Sequence, residues 1–229
     1  MSMLGHYATW KKGEVYENHL FEEGVIEDEV LGLFEKHKLT PKGGIHVGAH
    51  ECPEIGCYRK LFNDKVVWIE ANPETYTHKA KPVADRNNQK CYNFAAYDAD
   101  DQEVTLYIPS RDDISSLYLS EEFPHIRTAQ VKTKKMDTLF VEENLDIDNF
   151  DFLNIDVEGA ELKVLEGFKD NLEKINYVFI EVSLAPRFSG SEATLETIHN
   201  YLIERGFGLT EISSSIQTLG WGDAFYIRQ

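Results

Sequence analysis

The chain is short of cations. Against 40 Asp plus Glu, its 229 residues hold only 23 Lys plus Arg, a formal charge of −17. A surface this negative repels phosphate backbones and anionic lipid surfaces, so neither nucleic acid nor membrane is expected as a partner. Cysteine is scarce too: Cys52, Cys57 and Cys91 form an odd set without paired spacing, which suits a reducing compartment and not a disulfide scaffold. No apolar run approaches the about 18 residues needed to cross a bilayer. The opening stretch MSMLGHYATWKKGE has no apolar signal-peptide core, and a cytoplasmic location is the expectation. Repeats and low-complexity tracts are missing as well. What is present is an ordinary globular composition, 42% hydrophobic and 12% aromatic, at a length that fits one large domain with an appendage.

Residues 1–24 show no clear period, whereas Val25, Ile26, Val30, Leu31, Leu33 and Phe34 recur at helical spacing, with Lys36, His37 and Lys38 in the last turn. We therefore divide the chain into an N-terminal helical extension, residues 1–40, and a main domain, residues 41–229. From there, short apolar runs alternate with helical patterns. GIHVGA leads into PEIGCYRKLF, VVWIEANPE follows, CYNFAAYD reads as a third strand, and FDFLNID leads into a helix over VEGAELKVLEGF and the strand YVFIEVS. Strands separated by helices predict an α/β fold with a mostly parallel sheet covered on both faces. Near the end, the helix TLETIHNYLIERG precedes FGLTEISSS and DAFYIRQ, which predict an antiparallel hairpin closing the sheet edge. EVTLYIP reads as a strand, RDDISSLYLSEEFPH as a loop and VKTKKMDTLF as the entry to a short helix. The loop over about 109–126, with Ser115 and Ser116, is the candidate lid.

Ligands of open parallel sheets bind at the carboxyl ends of the strands. The first such turn is Gly48, Ala49, His50, Glu51, Cys52, where a small residue lets a ligand approach the backbone; a bare strand-to-helix turn is the plain alternative. Glu70 ends the next strand, where a carboxylate meets the hydroxyls of a ribose. The turn G-A-H-E-C-P lacks the second and third glycines of a dinucleotide site, which favours a nucleoside ligand without a pyrophosphate over NAD. Asp156, at the end of a buried apolar strand, is costly to desolvate unless it binds something. Glu158 and Glu161 follow it closely, and Glu181 ends the neighbouring strand. Asp156 and Glu181 together would hold a divalent cation, bind an amine or accept a proton from a hydroxyl. A zinc site from His46, His50, Cys52 and Cys57 is the weaker reading, for no second ligand pair follows. Lys132, Lys134 and Lys135 read as a solvated strand or helix entry.

The ordered set GIHVGAHECPE, VVWIEANPE, FAAYDADDQEVTLYIP, ISSLY, KKMDTL and DFLNIDVEGAELKVLEGF followed by YVFIEVS resembles the FkbM-type S-adenosylmethionine-dependent methyltransferases over residues 43–228. The resemblance implies a class I methyltransferase fold, a Rossmann-like seven-stranded sheet with the last strand inserted antiparallel. It implies S-adenosylmethionine as cofactor and methyl transfer to a hydroxyl, often of a sugar or polyketide. On these residues, Gly48 and Ala49 would lie under the methionine part, with His46 and His50 beside them. Glu70 would hold the ribose, with Ala71 next to it, and Ala96 and Asp98 would border the adenine. Asp156 and Glu158 would lie beside the sulfonium and the acceptor. Where many members carry an acid before the first glycine and a further glycine later, this chain has His46 and Cys52.

A hydroxyl is a weak nucleophile, so a base or a metal must act on its proton. Asp156, Glu158, Glu181 and His50 are the groups available, Asp156 first, with a divalent cation such as Mg at Asp156 and Glu181 as an additional cofactor. The expected partner is a small-molecule or carbohydrate acceptor, with a homo-oligomer as an open possibility. Two other readings stand beside this one: an NAD(P)-dependent oxidoreductase on a Rossmann sheet, and a catalytically inactive methyltransferase-like binding module.

Overall fold

The computed structural model describes residues 20–21 and 26–229, with side chains from residue 29 onward; the sequence readings for 1–19 and 22–25 lie outside the described residues. In chain order the strands are β1 (Leu20–Phe21), β2 (Gly44–Val47), β3 (Val66–Glu70), β4 (Lys90–Asn93), β5 (Ala95–Ala96), β6 (Glu103–Pro109), β7 (His125–Lys134), β8 (Phe152–Ile155), β9 (Tyr177–Ser183), β10 (Phe207–Ser213) and β11 (Trp221–Arg228). Eight of them form the main sheet in the order β1-β10-β11-β9-β8-β2-β3-β4. Only β11 runs against its neighbours β9 and β10. Without the two-residue β1, this is the expected seven-stranded mostly parallel sheet with its last strand inserted antiparallel. The hairpin β10–β11 is thus built into the sheet, and β1, parallel to β10, covers the edge.

Every residue of β2, β3 and β8 is buried, as continuous apolar runs require in a parallel sheet covered on both faces. Side-chain alternation divides the burial. Val67, Ile69, Leu153 and Ile155 enter one core, whereas Trp68, Phe152, Phe179 and Phe225 enter the other. The helix Ile26–Lys36 belongs to that second core: Phe34 meets Phe152 and Phe225 edge-on at 5.4 and 5.7 Å between centroids. The helix Leu195–Ile203 is opened by a reciprocal Thr194–Thr197 capping box, which supplies its free amide groups with acceptors.

Three readings are corrected. CYNFAAYD is two strands, because the chain leaves the main sheet at Phe94 and β5 pairs with β7 in a separate three-stranded sheet, β5-β7-β6. The expected loop ends earlier, at the start of the ten-residue β7, which pairs antiparallel with β6. Lys132 and Lys134 lie on β7, and Lys134 and Lys135 pair with Glu142 and Asp100. Finally, the helix after β8 starts at Glu161 rather than at Val157. Glu158 and Gly159 have φ of 54° and 104°, outside any right-handed helix.

Candidate functional site

The register of the sheet brings the site together. Val47 pairs with both Ile69 and Ile155, and Ile155 pairs with Ile180, so Gly48, Glu70, Asp156 and Glu181 emerge side by side at the carboxyl ends of four adjacent parallel strands. Gly48 has φ of +95°, and a Cβ there would stand 1.6 Å from the Asp156 carbonyl oxygen. No other residue fits that crossing. His50, Cys52 and Glu158 also hold positive φ without being glycine. Such backbone persists only where its surroundings enforce it, and it gathers at functional turns.

These strand ends floor a cleft enclosing, with its open mouth, about 560 Å³. Gly48, His50, Glu70, Ala71, Ala96, Asp156 and Glu158 line it, together with Phe94, Leu106 and Leu117. His46, Ala49, Asp98 and Glu181 do not. His46 lies beneath the floor, stacked on Trp68 at 5.2 Å and within 3.1 Å of the Tyr58 hydroxyl. Burial holds its imidazole down to about 3 against a hydrogen bond involving Gly48, so it is neutral. Ala49 is fully buried, and Asp98 is engaged by Lys163 at 2.9 Å, which takes it away from the cleft. Cys52 and Cys57 are buried in the aromatic core with His46 elsewhere engaged, an arrangement that leaves no zinc site among the described residues.

Glu70 is 7% exposed and accepts the backbone N–H of His50 and of Asn72, each at 2.7 Å. Desolvation pushes its carboxyl up to about 7, against the pull of those two bonds. Each oxygen keeps a lone pair for a further donor.

Sequence reasoning missed the way the loop after β6 is fastened down. Asp112, Asp113 and Ser115 line the cleft. Asp112 receives Lys79 Nζ at 3.0 Å and lies 3.2 Å from His50 Nε2. Burial raises its carboxyl, but the bonds with Lys79 and His50 outweigh this and hold it at about 2. On the other side, Ser116 Oγ donates to the Glu158 carbonyl at 2.6 Å. The candidate lid is therefore tied to both glycine-type turns.

Asp156 is open to the cleft, whereas Glu158 is 9% exposed. Oxygen atoms of Asp156, Glu158 and Glu181 lie within 4.8 Å of one another. Burial pushes all three carboxyls up, and mutual repulsion adds to this at Glu158 and Glu181; solvent reaching Asp156 through the cleft moderates the effect there. Arg187 works in the opposite direction. Its Nη1 lies 2.8 Å from Glu181 and 3.7 Å from Glu158. The spacing would let one divalent ion touch all three carboxylates, but the guanidinium already stands against two of them, Glu181 and Glu158. Nothing in the local sequence LAPRF marks Arg187. Beyond it opens a second, wider groove of about 1700 Å³, bordered by Leu119, Glu121, Glu122, Leu184 and Trp221. Among the described residues no helix is long and apolar enough to cross a membrane.

The sequence matches none of the curated proteins. Among solved structures it is similar to a SAM-dependent methyltransferase from Aquifex aeolicus, at 10% identity and a TM-score of 0.46 over 90% of each chain. It is also similar to a TehB-like SAM-dependent methyltransferase from Corynebacterium glutamicum, at 9% identity and 0.46 over 99% and 98% of the two chains. A third is the magnesium protoporphyrin IX methyltransferase from Synechocystis with bound SAH, at 10% identity and 0.45 over 89% and 82%. At such distances they leave the activity unaddressed. The family comparison is stronger, for the model of the methyltransferase FkbM domain matches residues 46–209, more than half of the chain, from β2 to β10. By that match the chain belongs to the FkbM methyltransferase family.

Proposed function

We propose that this protein is an S-adenosylmethionine-dependent O-methyltransferase whose acceptor is a neutral, polyhydroxylated small molecule or glycan, most simply a sugar. The observation that carries the reading is Asp156. It is the most exposed carboxylate of the acidic centre, on the cleft at the end of β8 and against the glycine turn where the methionine part of the donor would lie. In the transfer, the acceptor oxygen attacks the methyl carbon in line with the sulfonium sulfur. Bound S-adenosylmethionine would supply the methyl group, its sulfur keeping the C–S electron pair as a neutral thioether, and Asp156 would take the hydroxyl proton. Positioning the two reactants supplies most of the acceleration. A base titrating near the working pH supplies more, and the Asp156 carboxyl, pushed up to about 6 by desolvation against the pull of Arg187, suits that task.

On this reading Glu70 holds the ribose hydroxyls and Ala71 and Ala96 flank the nucleoside. Glu158 and Glu181 shape the field around the base, and His50 secures the loop through Asp112. The excess of acids disfavours an anionic acceptor, while sugar hydroxyls are donors that carboxylates accept. The groove at Trp221 offers an aromatic ring and the rim acids Glu121 and Glu122 for such a molecule. The missing dinucleotide glycines weigh against NAD(P), and the open Asp156 weighs against an inert binding module. The test is transfer of labelled methyl from S-adenosylmethionine to a panel of glycans and polyols. Asp156→Asn is expected to lower the rate by about 10²–10⁴-fold at saturating S-adenosylmethionine, with S-adenosylhomocysteine binding retained. Full activity of Asp156→Asn would refute the role of the base, and methylation confined to thiol or amine acceptors would refute the acceptor class.

A further inference from the structure

We propose that Arg187 is the resident cation of the acidic centre: its guanidinium takes the place among Asp156, Glu158 and Glu181 that a divalent metal ion would otherwise occupy. Three carboxylates whose oxygens lie within 4.8 Å of one another, two of them on largely buried side chains, cannot all remain ionised without a positive charge beside them. Arg187 supplies it, with Nη1 at 2.8 Å from Glu181 Oε1 and 3.7 Å from Glu158 Oε2. The remaining geometry shows a built seat. The guanidinium carbon stands 4.6 Å from the ring centre of Trp221, 5.6 Å from Phe188 and 5.7 Å from Phe123. Planar guanidinium stacks on such faces, whereas a hydrated metal ion gains little from them. Glu158 Oε2 is buried without a hydrogen-bond partner, so the guanidinium is the charge it faces.

A divalent ion bound to the three carboxylates would lie against the guanidinium and be repelled by it, so it enters only when Arg187 leaves its aromatic cage. The site is thus chemically capable of binding a metal and is kept from doing so by a side chain six residues beyond Glu181 in the same chain. This concerns how the charge of the centre is balanced, and it does not depend on which acid receives the acceptor proton or on what the acceptor is.

The experiment is a titration of the full-length protein with Mn²⁺, with the free ion followed by electron paramagnetic resonance. Wild type is expected to show no stoichiometric site. Arg187→Met keeps an unbranched stem among the rings and removes the charge; it is expected to gain one site, at least about tenfold tighter than any binding by wild type. Arg187→Gln serves in case the first variant does not fold, with far-ultraviolet circular dichroism as the check. Adding Glu181→Gln to either variant is expected to abolish the site again, and Arg187→Lys is expected to keep the ion out. One stoichiometric Mn²⁺ per wild-type chain overturns the inference without recourse to any variant. A folded Arg187→Met or Arg187→Gln that takes up no Mn²⁺ overturns it as well. Calorimetry with S-adenosylhomocysteine on the same samples reports separately on the methyltransferase reading.

Discussion

Glu161 gives the sharpest test of the electrostatics at the strand ends. It opens the helix Glu161–Gly167, is 3% exposed and turns its carboxylate back onto the Gly159 N–H at 2.8 Å. Desolvation raises its carboxyl from 4.5 to about 7, against backbone hydrogen bonds that pull it down. A raised carboxyl means that the native state holds the proton more tightly than the unfolded chain. Stability is therefore gained as pH falls from about 7 toward 4.5 and is absent above 7. Between pH 8 and pH 5 the gain from this one group works out to about 2.5 kcal/mol. Glu161→Gln removes the titration. Whatever fixed change comes from exchanging an oxygen for an amide cancels in the difference between the two pH values. Calorimetric unfolding of both proteins at the two pH values should show the wild type gaining about 5–10 °C more than the variant on acidification. An equal response of the two proteins, or a larger gain by the variant, would refute the reasoning.

Gly48→Ala drives a methyl group into the Asp156 carbonyl at 1.6 Å; it should cost about 3 kcal/mol of stability, and an unchanged Tm would contradict the tight crossing. Glu70→Gln keeps an acceptor for only one of the two backbone amides, turns an NH₂ donor toward the other and loses the charge, and should weaken S-adenosylmethionine and S-adenosylhomocysteine alike by about tenfold in calorimetry, since both carry the ribose. Loss confined to one of them would place Glu70 elsewhere on the ligand. Asp112→Asn removes the anchor of Lys79 and His50. Stability should change by less than about 1 kcal/mol while limited proteolysis within residues 110–124 accelerates, and an unaltered cleavage rate would show that the loop is held by Ser116 alone.

The parallel core is legible in the sequence because burial on both faces leaves a continuous apolar run, and GIHV, VVWIE and FLNI are such runs. Their carboxyl-end residues follow directly, so Gly48, Glu70, Asp156 and Glu181 are readable as neighbours before any coordinates. The transfer from β4 to the small sheet at Phe94 is not legible, since CYNFAAYD is uniformly compatible with one strand and only the distant pairing with β7 divides it. β7 is hidden for the opposite reason: its first residues are exposed on both faces, so HIRT carries no alternation to find, and only the short stretch QVKT alternates. Asp98 misleads by lying next to true lining residues. Lys163, 65 residues away in sequence, takes its carboxylate, and no local pattern announces that bond. Arg187 is invisible for a similar reason, for its role comes from three rings and two acids supplied by separate segments.

Acids that are raised by burial and gathered at one cleft make the ligand-free protein pay for charge that a cationic ligand would neutralise. The methyl donor bears a sulfonium charge that its product, the thioether S-adenosylhomocysteine, lacks, so the two ligands share every contact except this one. As Asp156 ionises through about 6, the attraction it offers rises for the donor and hardly changes for the product. Two unit charges about 4 Å apart interact by about 4 kcal/mol near a protein surface, and solvent access at Asp156 reduces this. The preference for donor over product should therefore grow by at least about tenfold between pH 5 and pH 8 in paired calorimetric titrations. Glu70 is common to both ligands, so its own titration near 7 cancels in the ratio. A ratio that stays constant across that range would separate Asp156 from the sulfonium and remove the electrostatic basis for product release. A ratio that grows in wild type but not in Asp156→Asn would assign the effect to that single carboxylate, because Glu158 and Glu181 keep Arg187 beside them in both proteins.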